Sequence, residues 1–198
     1  MKPRFEQAYL HEIVLQAEYV VLSAQQVNRV LQEEADSALV FRELYALVAN
    51  VAGVSRILWP PWIRDPDKRR TAEIRGEHLR QALGIVDNHP LRSRALRDHL
   101  EHFDERLDQW SQETGHGGIV DLHIGPTSVI GGDAIARGDF LRVYQPERKV
   151  FTFRGDEFDI QQLVTAAVAV KGLAIARITA LHATALLDGP DGTAAGTL

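Results

Sequence analysis

Three residues within RALRDHLEHFDERLDQW, residues 94–110, have types and spacing that allow chemistry on a phosphate: Arg97, Asp98 and His102. An arginine grips a phosphate with two parallel N–H donors and stabilises charge that develops on it. A histidine near its ordinary pKa can take or give a proton at neutral pH. If the stretch is one helix, Arg97 and His102 flank its polar back with Cα atoms about 8–9 Å apart. Both side chains could then lean over one phosphodiester. These are the parts for metal-independent cleavage of RNA, in which the ribose 2′-OH attacks its own phosphate. Asp98 is placed to orient the histidine, and Arg94 and Arg106 are candidate substrate-binding residues. One exposed helix is a weak catalyst in water. The same helix from a second subunit, across a two-fold axis, would double both groups and exclude solvent.

The opposite face of this stretch explains how such a helix would be held. Leu96, Leu100, Phe103, Leu107 and Trp110 recur at three- and four-residue steps, an apolar stripe for a core. The pattern predicts one helix over 91–114, stopped by Gly115, Gly117 and Gly118. The ordinary alternative for the polar back is a solvated surface with pairs such as Asp98–His102 and His102–Arg106. His99, nearer the stripe, reads as a partly buried structural histidine.

Around this segment the sequence places further helices. Residues 4–34 carry Leu10, Val14, Ala17, Val21, Ala24, Val27 and Leu31 at helical period. Asp36 and Ser37 offer a cap for a second helix over 37–58, and the short link makes the two antiparallel neighbours. Trp59-Pro60-Pro61-Trp62 ends it, with both tryptophans expected as core plugs. Asp65-Pro66 opens a charged helix over 66–85, interrupted in pattern by Gly76. Its arginines, Arg69, Arg70, Arg75 and Arg80, read as a solvated surface. After a Gly-rich loop at 119–138, with room for one short strand, DFLRVY and KVFTFR alternate as a hairpin over about 139–154. Asp156 or Asp159 then caps a last helix over about 158–187, and 188–198 reads as a disordered tail. The expected fold is therefore mainly α: a single domain over 1–187, a four- to five-helix up-and-down bundle with a β-hairpin inserted before the last helix.

Composition narrows the rest. The chain has 198 residues, 45% hydrophobic and 25% charged, enough for a substantial core. It has no cysteine, which excludes disulfides and thiolate metal sites. The net charge of −5 lacks the basic footprint of a protein gripping long nucleic acid. No uninterrupted apolar run reaches the roughly 18–20 residues of a bilayer span, so no membrane partner is expected and a cytoplasmic address is. There is one Glu-x-x-His, Glu113/His116, where a di-metal bundle needs two, and phosphate-cradling Gly loops are missing. Neither a metal nor a cofactor is expected.

The run Arg97-Asp98-x-x-x-His102, continued by Phe103-Asp104-Glu105-Arg106-Leu107-Asp108, resembles the signature of the HEPN superfamily: an Arg, a polar residue, then a His after a short interval. The specific match covers about fifteen residues, and the helical pattern around it is compatible. The resemblance implies a four- or five-helix bundle that dimerises through the segment 91–114, often a metal-independent ribonuclease in toxin–antitoxin or phage-defence systems. RNA and an antitoxin protein are then the expected partners, with Arg97 and His102 catalytic. Many members of that family have lost catalysis, so a non-catalytic helical module that binds a protein or nucleotide stands as the alternative.

Overall fold

In the first helix a Pro at the first position presets the backbone, and the 30-residue run holds no further breaker. This is α1, Pro3–Gln32. The computed structural model describes residues 2–93, 95, 102–113, 119–130, 135 and 137–187. Asp36 caps α2, Ser37–Leu58, by accepting from the Ala38 N–H at 2.7 Å. Asp65 caps α3, Pro66–Leu83, through the N–H groups of Asp67 and Lys68. Gly84 closes α3 in the left-handed conformation (φ 64°) that costs other residues most. After a 3-10 turn at Pro90–Arg92 come α4, Phe103–Glu113, and then β1, His123–Ile124. Strands β2 (Arg142–Gln145), β3 (Val150–Phe153) and β4 (Asp156–Asp159) lead into the last helix, α5, Ile160–Leu187. The mainly α fold agrees with the expectation.

α1 packs between α2 and α5. Its core residues are Leu10, Ile13, Ala17, Val20, Val27 and Val30. The expected stripe through Val14, Val21, Ala24 and Leu31 is only half-buried. The buried face is rotated because α5 takes one flank, through Glu18–Lys171, while α2 takes the other. One apolar cluster joins α1 and α2 to Leu79 and Leu83 of α3, Trp110 of α4, and Ala167, Val170 and Ala174 of α5. Gly76 does not break α3. A Cβ there would lie 2.7 Å from the Leu58 carbonyl oxygen, so the glycine lets α3 approach the end of α2.

The hairpin is larger than expected. β2 and β3 pair antiparallel, and β4 adds antiparallel to β3 through Arg154 and Gly155, both at positive φ as a tight two-residue turn requires. β1 adds parallel to β2, giving the order β1-β2-β3-β4. Phe151 sits edge-on to Phe41 and Tyr45 of α2, fixing the sheet to the bundle. β4 escapes the sequence pattern because DEFD is acidic, with Phe158 its one buried residue. Asp159 caps α5, accepting from the Gln162 N–H at 2.8 Å, so that helix starts at 160 and not at 158.

The expected single helix over 91–114 is the main correction. Pro90–Arg92 is a 3-10 turn and His102 lies in a turn just before α4. Arg94, Leu96, Arg97, Asp98, His99 and Leu100 lie outside the described residues, as do 114–118 and the expected tail at 188–198. Trp62 corrects a second expectation: Trp59 is buried, whereas Trp62 is 67% exposed with the Arg69 guanidinium over its ring.

Candidate functional site

α4 is pinned at both ends and in the middle. Trp110 is buried and its indole N–H donates to the Gly138 carbonyl at 2.7 Å. Phe103 packs 5.8 Å from Phe153, with the Arg142 guanidinium 5.6 Å over its ring. At the far end Arg154 donates to Glu113 at 3.0 Å and to Gln109. The loop and sheet thus hold a helix whose described outer face carries Asp104, Glu105, Asp108 and Glu113.

His102 is the one expected catalytic residue within the described part. Its side chain is half exposed, and Nδ1 lies 3.6 Å from a Glu105 carboxylate oxygen. That is ion-pair range and longer than a hydrogen bond. Glu105 is the neighbour among the described side chains; the Arg106 backbone is in α4, but its side chain, like Arg94, Arg97 and Asp98, lies outside the description. One step from His102, beneath Phe103, Arg142 forks onto Asp121 and also donates to the Tyr45 hydroxyl at 3.2 Å. The bonds to Asp121 raise the Arg142 pKa still further, so the guanidinium is a permanent cation. Burial raises the Tyr45 phenol, against the opposing effect of Arg142, so it stays protonated. This cluster joins α2, the loop before β1, and β2.

A second ionic cluster was not anticipated. Glu6, in phase with Leu10 and Ile13 on α1, is almost fully buried. Its carboxylate accepts from His78 Nε2 of α3 at 2.8 Å and from Arg177 Nε of α5 at 2.7 Å. Burial alone would raise the carboxyl; the bonds from Arg177 and His78 outweigh it and hold the pKa below its usual value. The signal was present, because a carboxylate in register with an apolar stripe demands partners. Both oxygens are engaged, so the cluster ties three helices together.

A cleft of about 390 Å³ opens on the sheet between Thr127, Phe140, Arg148, Thr152 and Glu157, and His102 is not in its lining. Among the described residues no three His, Asp or Glu side chains converge as metal ligands. No known family model, curated protein or solved structure matches this chain.

Proposed function

We propose that the chain is a metal-independent endoribonuclease of HEPN type, a toxin or phage-defence component, acting through Arg97, Asp98 and His102. The observation that carries this reading is the accessible His102 beside Glu105, in the motif Arg97-Asp98-x-x-x-His102, on a mainly helical fold. Neutral His102 takes the proton of a ribose 2′-OH. The 2′-oxygen bonds to phosphorus, the bond to the 5′-oxygen breaks, and an imidazolium returns a proton to that leaving oxygen. Arg97 balances the charge on the phosphoryl oxygens, with Arg94 and Arg106 binding flanking phosphates. Glu105, 3.6 Å from Nδ1, is placed to hold the orientation of the ring. A second subunit paired through residues 91–114 supplies the second imidazole and shelters the site. Purified protein should cleave single-stranded RNA in the presence of a chelator, leaving 2′,3′-cyclic phosphate ends. Arg97→Ala and His102→Ala should each abolish cleavage with unchanged helicity; cleavage retained in both variants sinks the assignment.

One observation favours a non-catalytic module instead. The described outer face of α4 bears Asp104, Glu105 and Asp108 beside Glu113, which Arg154 already holds; the three repel phosphate and suit a basic protein surface. Absence of cleavage by wild type, with capture of a basic partner lost on Asp104→Lys/Asp108→Lys, would favour that reading.

A further inference from the structure

α5 is apolar on nearly every side, yet this chain covers only part of it. Over Ile160–Leu187 it has no acidic residue, and its only basic residues besides His182 are Lys171 and Arg177. Both are matched from α1, Lys171 by Glu18 and Arg177 by Glu6. Its most apolar stretch averages a hydropathy of 1.7, but only 28% of it is buried, against 44% for α2. A soluble helix that is apolar all round is normally buried all round.

The outward face has a definite relief. Val168, Leu173 and Ile175 are each more than two-fifths exposed, and between them lie the exposed Ala169, Gly172, Ala176 and Ala180. The Glu18–Lys171 and Glu6–Arg177 bridges make α1 antiparallel to α5. One turn either side of the first bridge, Leu22 comes level with Val168 and Leu15 with Ile175. Leu15, Tyr19 and Leu22 are themselves exposed. The apolar surface therefore continues across both helices.

Gly172 supplies the independent observation. A glycine inside a helix is destabilising, so it needs a reason. Gly76 has one within the chain, since a Cβ would meet the Leu58 carbonyl at 2.7 Å. At Gly172 a Cβ would meet nothing within 4 Å. This glycine leaves room for the backbone of a second helix to approach closely.

We infer that the α1/α5 face is a self-association surface, on which α5 packs antiparallel against α5 of a second copy across a two-fold axis near Gly172 and Ala176. An axis midway between those residues lays Val168 over the partner's Ala180 and brings Leu173 level with the partner's Ile175, so that apolar side chains meet in both directions. Lys171 and Arg177, the cations of α5, are already matched within each copy by Glu18 and Glu6. From Thr165 to Leu186 the two helices present roughly 33 by 20 Å, about 650 Å² per partner, within the range of specific pairs. A membrane surface fits less well, because interfacial helices are flanked by free Lys and Arg and here both cations are paired. The face shares no residue with 91–114, so the inference stands apart from the catalytic reading.

Sedimentation velocity over the micromolar range tests it. Wild type should run as a dimer or a larger even-numbered assembly. Gly172→Glu and Ile175→Glu should each weaken the α5 association at least about a hundredfold with unchanged helicity. Ile74→Glu, at an exposed site on α3, should have no effect. Because the chain has no cysteine, Ala176→Cys offers a readout independent of such charges: a short bismaleimide should link two copies there and not at Ile74→Cys. A monomeric wild type, including one that binds anionic vesicles, overturns the inference. So does an assembly that persists at full strength in both α5 variants without cross-linking at position 176.

Discussion

Replacing Arg177 by alanine tests the physical account of the buried cluster most severely. Glu6 is 3% exposed, whereas the side chains of His78 and Arg177 are about a third exposed. Removing Arg177 leaves a buried carboxylate with one partner. Breaking a buried pair in this way costs about 3–5 kcal/mol, and the surviving 2.8 Å bond from His78 places the expected loss near 3 kcal/mol. Glu6→Leu should cost less, about 1–2 kcal/mol, because the Arg177 and His78 side chains left behind can turn to water. In a chain of this size the larger loss lowers the melting temperature by roughly 6–12 °C. The pH dependence gives the sign. In wild type the folded carboxyl lies below its ordinary value of 4.5, so its contribution is present above that pH and fades as pH falls through the folded pKa. In Arg177→Ala the burial effect remains while the Arg177 bond is gone, and the carboxyl moves up. The variant's deficit should therefore be largest near neutral pH and shrink towards about pH 4. Urea denaturation followed by far-ultraviolet circular dichroism at both pH values measures this. A deficit below about 0.5 kcal/mol at neutral pH, or one that widens in acid, refutes the reasoning.

Two further outcomes follow from single contacts. Gly76→Ala should destabilise by about 1–3 kcal/mol in a melt, since its Cβ meets backbone and Pro60 and neither yields easily. Trp110→Phe keeps the ring in the core but leaves the Gly138 carbonyl without the indole donor. It should cost about 1–2 kcal/mol and speed amide exchange around residues 137–140; unchanged exchange there would show that the bond does not hold the loop.

The long helices were legible in the sequence because their information is local. Caps at Asp36 and Asp65, prolines at first positions and helical period place α2 and α3 to within two residues. The β2–β3 hairpin was legible for the same reason, since alternation within each strand is a local pattern. β4 was not, and β1 was legible only as room for one short strand within 119–138: acidic residues and a pair of residues in a loop become strands only when a neighbouring edge supplies the hydrogen bonds.

For the candidate site the division is sharper. The sequence by itself determined the residue types, a guanidinium and an imidazole five residues apart beside an apolar stripe, and Trp110 as core. Tertiary structure decided that His102 sits in a turn ahead of a short α4, next to Glu105, because Phe103, Trp110 and Arg154 tie that helix to the sheet and its loop. It also decided what Glu6 and Gly172 mean. Residue type and period show a carboxylate on an apolar stripe and a glycine in a helix. Only the packing of α1, α3 and α5 reveals that the first is satisfied within the chain and that the second faces open space.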